Sequence, residues 1–292
     1  MTSTSPSNLG PYRLLNVVNT SQTCRIWQAY HDGQQKFFAV KTLLPDYCRQ
    51  RSHVQYLKWE AQVGAKLDHP NVMKIHEYGT AHGMPYLAME WFSSPNMKQW
   101  IRKGLDSYGH LVPKIAVAAT AGLAYFNAQG WVHRDVKPDN FMVAEEGETK
   151  LIDFALARRS RGGLARLLAP RSKVQGTRSY ISPEQLRGEA VDGRADLYSL
   201  ACTLFELVCG RPPFTGSTAQ ELLQKHLTAA PPSLAAANPN VTPEFADLIR
   251  RAMAKERGNR HASSEDFLRE LTSIRIFKRD FDPPEKADSS VS

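Results

Sequence analysis

The sequence predicts an α+β protein with two lobes, a small β-rich lobe at the N-terminal end and a larger, mainly α-helical lobe after it. Three observations support this class. Between residues 12 and 91, β-type segments recur around one stretch of helical periodicity. From residue 96 onward the periodicity is mostly helical, with Pro, Gly or Asn/Ser/Thr clusters between segments. The 292 residues are enough to bury a large core, either as one bilobal unit or as two ordinary domains.

The first lobe contains five short runs rich in branched and aromatic residues, which predict a five-stranded antiparallel sheet. They are YRLLNVV, CRIWQAY, KFFAVKTL, VMKIHEYG and PYLAMEW. Between the third and fourth runs, HVQYLKWEAQVGAKLD spaces its apolar residues as one helix and ends at the breaker HPN. The first lobe is therefore expected over about residues 11–91.

The second lobe is expected over about residues 96–275, after a short connection at about 92–95. A ligand is expected in a cleft between the two lobes. Residues 1–10 and 276–292 are interpreted as tails. The helices predicted in the second lobe are 113–129, 195–209, 216–228, 243–254 and 263–274.

Composition limits the environment and the partners. The net charge of +8 favours anionic partners such as nucleotides, acidic peptides, nucleic acid or a membrane surface, without choosing among them. Four dispersed cysteines fit neither a zinc site nor a disulfide scaffold, so a reducing, cytoplasmic environment is expected. The N-terminus has no signal pattern, and the longest apolar stretches are too short to span a bilayer. We therefore expect no transmembrane segment, and we expect no nucleic-acid partner.

The stretch WVHRDVKPDNFMV, residues 131–143, places a carboxylate, a lysine and an amide in a loop before a short strand. Asp135 can accept a hydroxyl proton, and Lys137 can neutralise a phosphoryl group in transfer. Asn140 supplies a hard oxygen ligand, as does Asp153 at the end of the next short strand, and both suit Mg²⁺. Together these are the kinds of groups that catalyse phosphoryl transfer.

Four ordered motifs resemble those of the eukaryotic-like (Hanks-type) serine/threonine protein kinases, over residues 11–275. HRDVKPDN is similar to the family's catalytic loop, IDFA to its metal-binding motif, FFAVK to its third-strand lysine motif and ISPE to the end of its activation segment. LDHPNVMKIHEYG and CGRPPFTG resemble the compact kinases of bacteria. The resemblance implies a bilobal protein-kinase-like fold and transfer of the γ-phosphoryl group of ATP to Ser or Thr of protein substrates. It also implies Mg²⁺, or alternatively Mn²⁺, as the metal.

The resemblance assigns roles to individual residues. Asp135, with Lys137 beside it, is the expected base, and Lys137 together with Thr177 is typical of the serine/threonine branch. The expected metal ligands are Asn140 and Asp153. In the nucleotide site, Lys41 is expected to hold phosphates and Glu60 to pair with Lys41. Met89 is expected at the back of the pocket. The other expected nucleotide-binding residues are Ile26, Asn19, Ser21 and Glu90. The expected structural residues are Glu184, which pairs with Arg260, and Asp196, which braces the catalytic loop.

The chain departs from the family where a glycine-rich hairpin, G-x-G-x-x-G-x-V, should cover the phosphates. Aligned back from Ile26, the sequence is NTSQTCRI, so Asn19, Ser21 and Cys24 occupy the glycine positions. Glycine lets backbone N–H groups approach phosphates without a Cβ in the way, so weaker nucleotide contacts are expected. The hydroxyls of this hairpin either donate to phosphate or satisfy the turn's own backbone, and the sequence does not separate the two.

A second departure is Ala155, which replaces the glycine that follows Asp-Phe in the family. The added methyl group is expected to restrain switching of the segment that carries Asp153. Two functions remain open on these grounds: an active kinase, favoured because every chemical group is present, or a pseudokinase that acts as a nucleotide-responsive binding or scaffold module. Loss of glycines lowers affinity, whereas loss of the base or of the metal ligands would remove the chemistry.

The segment over residues 156–180 is strongly basic, with seven Lys or Arg residues and no acidic residue. One interpretation is a platform for an acidic substrate or for a phosphate added by autophosphorylation at Ser160, Ser172 or Thr177, because arginines order a phosphorylated segment. The alternative is a solvated, mobile loop.

Overall fold

The computed structural model describes residues 8–160 and 176–283, and its contacts divide them into two units. The first unit comprises residues up to Ser93 together with Ile152–Ala157, and the second comprises Ser94–Leu151 together with residues from Arg158 onward. The division after Ser93 lies inside the connection expected at 92–95. Residues 152–157, which the sequence placed in the second lobe, instead pack with the first unit, where Phe154 is 1% exposed.

The first unit is built on one antiparallel sheet of six strands, in the order β1-β2-β3-β4-β6-β5. Its only long helix within the described residues, α1 (Arg51–Gly64), packs on β5 and β6. The strands are β1 (Asn8–Leu9), β2 (Tyr12–Thr20), β3 (Cys24–His31), β4 (Lys36–Leu43), β5 (Ile75–Ala81) and β6 (Met84–Glu90).

Five of these strands correspond to the five predicted runs, and the two-residue β1 is additional. Leu9 of β1 is fully buried in a cluster with Tyr12, Phe38 and Tyr86. The tail predicted over residues 1–10 is therefore too long. A two-residue strand has no periodicity that sequence analysis can detect, so only the tertiary contact of Leu9 reveals it.

The second unit is mainly α-helical and has two small two-stranded sheets. Helices α4 and α6 form its centre, and α6 is buried from Ala195 to Val208. The helices are α2 (Met97–Lys103), α3 (Leu105–Tyr108), α4 (Val112–Ala128), α5 (Pro183–Leu186), α6 (Gly193–Cys209), α7 (Ala219–Thr228), α8 (Leu234–Ala237), α9 (Pro243–Ala252) and α10 (Ser264–Thr272). The strands pair as β7 (Trp131–Val132) with β10 (Arg158–Arg159) and β8 (Phe141–Val143) with β9 (Thr149–Leu151).

The core of the second unit includes residues beyond 275, where the sequence predicted a tail. Ile276 is 4% exposed and Phe277 is 2% exposed. The carbonyl of Ile276 accepts the N–H of Thr242 at 2.9 Å, and Phe277 forms a β-bridge with Val241. The C-terminal segment is therefore part of the core up to at least Phe277.

One described segment, Leu105–Ala128, is long and apolar enough by length and composition alone to cross a membrane, with a mean hydropathy of 1.3 over its most apolar window. Core helices of globular domains meet the same criterion. The helix α4 within this segment packs against α6, α10 and β9, and nine of its residues are buried. The lack of a transmembrane segment stays a prediction.

His226, in α7, is a fully buried titratable group of the second unit. Its Nδ1 atom lies 3.0 Å from the Tyr198 hydroxyl. Burial, and then the ammonium group of Lys255, lowers the pKa of His226 to about 4, against an ordinary value of 6.5.

We expect the buried His226 to make the fold sensitive to mild acid. Between pH 6.5 and 4 the unfolded chain binds a proton that the folded chain excludes, so stability falls as the pH falls. From pH 7 to pH 5 the expected loss in the free energy of unfolding is about 2 kcal/mol. Urea unfolding at both pH values measures it. His226→Gln should reduce the pH dependence by that amount, and an unchanged pH dependence in this variant would refute the assignment.

Candidate active site

The first unit contains a buried ion pair between β4 and α1. Lys41 Nζ lies 2.8 Å from Glu60 Oε2, and the side chains are 16% and 3% exposed. Burial acts to lower the pKa of Lys41, but the carboxylates of Glu60 and Asp153 outweigh it, so its pKa is raised. Lys41 is therefore held as a cation at neutral pH, as a phosphate-binding group must be.

A cavity of about 260 Å³ in the first unit has this ion pair in its wall. Its polar lining combines a cation, two carboxylates and the hydroxyls of the β2–β3 hairpin. Of these groups, the Lys41 ammonium is the one that suits phosphate oxygens. The lining residues that matter here are Lys41, Glu60, Asp153, Ser21, Thr23 and Cys24.

The hairpin between β2 and β3 forms without any glycine. Asn19, Ser21 and Cys24, at the positions of the family's glycines, all have negative φ, which any L-residue adopts without strain. The Ser21 hydroxyl accepts the N–H of Cys24 at 3.0 Å and lies 3.1 Å from the Cys24 carbonyl. Of the two alternatives that the sequence leaves open for the hydroxyls, Ser21 thus satisfies the backbone of its own turn.

The other expected nucleotide-binding residues lie on the sheet around Lys41. Ile26 of β3 is opposite Lys41 in β4 and opposite Asn19 in β2. Met89 and Glu90 end β6, and the Glu90 carboxylate accepts the N–H of Lys74 at 2.7 Å. The Glu90 side chain therefore has a structural partner, and the nucleotide-binding roles of these residues stay predictions.

The segment from Asp153 to Ala157 forms a tight turn. Asp153 has a φ of +66°, a left-handed conformation that is uncommon for a residue with a side chain. Its Oδ1 atom accepts the N–H of Ala155 at 3.3 Å, and the N–H of Ala157 bonds the carbonyl of Phe154 at 3.0 Å. Ala155 has a negative φ, so this turn does not need the glycine that the family has there.

In the second unit, the catalytic loop is fixed by Asp196 at the start of α6. The backbone N–H groups of His133 and Arg134 donate to its two carboxylate oxygens at 2.7 and 2.8 Å. The amide of Asn127 donates to the same carboxylate at 2.9 Å. Asn127 was not identified from the sequence, because an Asn in the last turn of a helix does not indicate a partner 69 residues away.

Asp135, Lys137 and Asn140 converge in the loop that follows. Lys137 Nζ donates to Asp135 Oδ2 at 2.7 Å. The Asn140 amide donates to the Asp135 carbonyl at 2.8 Å and to Oδ2 at 3.2 Å. The side chains of Asp135 and Lys137 are 12% and 20% exposed, so a carboxylate and an ammonium group stand side by side in a half-buried site.

Thr177 completes this network. Its hydroxyl lies 3.0 Å from Asp135 Oδ1 and accepts from Lys137 Nζ at 2.7 Å, while its N–H donates to Asp135 Oδ1 at 2.8 Å. Gly176 has a φ of +113°, and a Cβ there would lie 2.8 Å from the Arg134 carbonyl, so only glycine fits. Gly176 was not identified from the sequence, although the glycine before the threonine in QGTRSY was a usable signal.

The other two candidate phosphorylation sites differ from Thr177. Ser160 is exposed at the end of β10, where its N–H donates to the Gly130 carbonyl at 2.9 Å. Ser172 lies outside the described residues. The Ser160 side chain is therefore accessible to solvent, whereas the Thr177 hydroxyl is hydrogen-bonded to Asp135 and Lys137.

The expected Mg²⁺ ligands fit the chemistry of this ion. Both hydrogen bonds of the Asn140 side chain described above use its Nδ2 atom and do not involve its Oδ1 atom, an oxygen of the kind that Mg²⁺ binds. No group of three or more His, Cys, Asp or Glu side chains forms a metal cluster within residues 8–160 and 176–283. Mg²⁺ in phosphoryl transfer is held by one or two side chains together with phosphate oxygens, so a larger cluster is not required.

A buried ion pair anchors the segment after Thr177. The guanidinium of Arg260 donates to Glu184 at 2.7 and 2.9 Å, and the two side chains are 0% and 3% exposed. Arg260 also donates to the carbonyls of Arg194, Ala254 and Lys255, so the buried cation is fully surrounded by acceptors.

Each of the two units thus contains the groups that the kinase-like motifs predict for it, Lys41 with Glu60 in the first and Asp135 with Lys137 in the second. The chain belongs to the protein kinase domain family, which matches residues 15–270. It is 31% identical over 284 residues to the probable serine/threonine-protein kinase PknB of Bifidobacterium longum, covering 93% of this chain and 41% of the relative. It is 31% identical over 261 residues to the serine/threonine-protein kinase PrkC of Bacillus subtilis, covering 88% and 39%.

The solved structures agree on the fold. The PknI kinase domain of Mycobacterium tuberculosis aligns with a TM-score of 0.67 at 24% identity, over 91% of this chain and 97% of that one. The fold class predicted from the sequence, a β-rich lobe and a helical lobe of the protein-kinase type, is confirmed, as is the resemblance to bacterial Hanks-type kinases. The chain spans about two fifths of the length of the curated relatives that it matches.

Glu60→Gln is expected to lower kcat/KM for ATP by at least about tenfold. It removes the negative charge that holds Lys41 in place and leaves the buried ammonium group with a neutral amide as its partner. Asp46→Asn, which neutralises an exposed carboxylate of the same unit, is the matched control. Equal kinetics in the two variants would contradict a role for the ion pair.

Proposed function

We propose that this chain transfers the γ-phosphoryl group of ATP to serine and threonine hydroxyls of proteins, with Asp135 as the base. The observation that carries the proposal is the contact between Asp135 and the Thr177 hydroxyl at 3.0 Å, with Lys137 donating to the same oxygen at 2.7 Å. An aliphatic alcohol thus already lies where a carboxylate can accept its proton and an ammonium group can stabilise charge on its oxygen.

In the proposed reaction, the acceptor hydroxyl donates a hydrogen bond to Asp135. As its oxygen bonds to phosphorus and the bond to the leaving ADP breaks, Asp135 takes the proton and Lys137 stabilises the charge on the transferred group. Lys41, held as a cation by Glu60, binds phosphate oxygens. Asn140 and Asp153 are the proposed ligands of Mg²⁺, which would neutralise phosphate charge when bound.

The pseudokinase alternative is not favoured. It was based on the absence of glycine from the β2–β3 hairpin and at Ala155. Both segments adopt their conformations with negative φ at the substituted positions, so these substitutions do not prevent either turn from forming. The curated relatives are also named as serine/threonine-protein kinases.

The acceptor class is tested with three peptides that are identical except for a Ser, Thr or Tyr at one position. Each is incubated with the protein and Mg·ATP labelled on the γ-phosphate, with Mn²⁺ in a parallel series. We expect label on the Ser and Thr peptides and none on the Tyr peptide. Label on the Tyr peptide alone would refute the assignment to serine and threonine.

We extend the proposal to autophosphorylation and to the cellular location of the protein. Ser160 is the preferred candidate for autophosphorylation among the described hydroxyls because it is exposed, and Arg158 and Arg159 adjoin it. Ser172 and Thr177 remain candidates.

A reducing, cytoplasmic site of action is supported by the four free cysteines, Cys24, Cys48, Cys202 and Cys209.

A further inference from the structure

Two neighbouring residues of α1 hold the two ends of the turn that follows Asp153. The indole Nε1–H of Trp59 donates to the Ala157 carbonyl at 2.8 Å, across 98 residues of sequence. Glu60, beside it, accepts a hydrogen bond from the backbone N–H of Phe154, in addition to its ion pair with Lys41. Helix α1 therefore holds both the first and the last peptide groups of this turn.

The turn that follows Asp153 begins with a strained residue, so contacts from α1 are needed to hold its conformation. Asp153 lies in the left-handed region with a φ of +66°, which costs free energy for a residue with a Cβ. The bond from the Ala157 N–H to the Phe154 carbonyl closes the turn, and the Asp153 carboxylate bonds the Ala155 N–H within it. A contact that fixes the Ala157 peptide thus also limits where the Asp153 carboxylate can lie.

We propose that Trp59 is a positioning residue for Asp153, acting through the hydrogen bond between its indole N–H and the Ala157 carbonyl. The inference depends on the proposed function, because Asp153 has a role only if it holds the metal of a metal–nucleotide complex. Ala155 and Trp59 then both restrict the turn. The methyl group of Ala155 reduces the number of conformations that the turn can adopt, and the indole of Trp59 stabilises one of them.

The proposal predicts a specific defect in metal-dependent binding. The variant Trp59→Phe keeps an aromatic ring and loses the N–H donor. We expect it to lower the Mg²⁺-dependent enhancement of affinity for a non-hydrolysable ATP analogue by roughly threefold to tenfold, the range for loss of one hydrogen bond. Affinity without Mg²⁺ should not change, because Lys41 and Glu60 remain. Calorimetric titration with and without Mg²⁺ gives both numbers.

Two comparisons separate positioning from general packing. Trp27→Phe removes another indole hydrogen bond of the same unit, from Nε1 to Thr42 Oγ1 at 3.1 Å, and should leave the Mg²⁺ enhancement unchanged. In an Asp153→Asn background, Trp59→Phe should have no further effect on the enhancement, because the residue through which it acts is already lost. If Trp59→Phe is poorly folded, the benzothiophene analogue of tryptophan at position 59 replaces the N–H by sulfur with the same shape.

The outcomes are distinguishable. An unchanged Mg²⁺ enhancement in Trp59→Phe, or an equal loss in the Asp153→Asn background, overturns the positioning role and leaves the proposed function intact. Failure of the wild-type protein to bind the analogue with or without Mg²⁺ overturns the proposed function, and the positioning role with it. A loss confined to the Mg²⁺-dependent part, absent from Trp27→Phe, supports the proposal.

Discussion

Asp135→Asn should lower the rate of phosphoryl transfer by about 10³-fold, within the range for removal of a general base. Asn has nearly the same shape as Asp and can still accept the N–H of Thr177, which now bonds Asp135 Oδ1 at 2.8 Å. It cannot take a proton from an acceptor hydroxyl. Lys137 would also lose the carboxylate that it contacts at 2.7 Å. The defect should therefore appear in kcat and leave nucleotide affinity nearly unchanged.

Initial rates at saturating Mg·ATP and a peptide acceptor measure this effect. Asp139→Asn removes the charge of an exposed carboxylate four residues away in the same loop and should retain nearly full activity. Thermal unfolding of each variant confirms that the fold is kept. If Asp135→Asn and Asp139→Asn transfer phosphate at the same rate, the base is not Asp135.

Arg260→Met should destabilise the protein by about 3–5 kcal/mol, the range for removing one member of a buried ion pair. The substitution leaves the Glu184 carboxylate, 3% exposed, without its bidentate partner. It also strips hydrogen bonds from three backbone carbonyls that Arg260 now satisfies. The buried charge left behind, more than the lost attraction, causes the loss.

Urea unfolding monitored by circular dichroism measures the change. The matched control is Arg250→Met, because Arg250 pairs with Asp247 on the surface, where the side chains are 67% and 71% exposed. An exposed pair of this kind contributes at most about 1 kcal/mol. Similar losses in the two variants would contradict the structural role assigned to Arg260.

Local pattern predicted much of the fold. The strand predicted over Lys36–Leu43 has those same bounds, and the helix predicted over 195–209 is observed over Gly193–Cys209. Helix α2 was overlooked, although NMKQ carries a capping box in which Asn96 and Gln99 each bond the other's backbone N–H. The burial of Leu9 and Phe277 could not be found this way, because it depends on contacts distant in sequence.

Some residues of the candidate site were likewise predicted from local sequence patterns, and others were not. Motif order identified Lys41, Asp135 and Asn140 because these residue types at these spacings have few structural reasons to occur together. The motif says nothing about Trp59 or Asn127, whose partners lie 98 and 69 residues away. Sequence spacing does not encode such contacts, so only the folded chain shows them.

The most direct test of the account is intact-mass spectrometry of the dephosphorylated protein before and after incubation with Mg·ATP, beside Asp135→Asn. We expect phosphoryl groups to be added to Ser or Thr of the wild-type chain, and none to the variant, despite a hairpin without glycines. An unmodified wild-type chain that is folded, binds Mg·ATP and also fails to phosphorylate the Ser and Thr peptides would contradict it. The Lys41 and Asp135 networks would then be binding sites without catalysis.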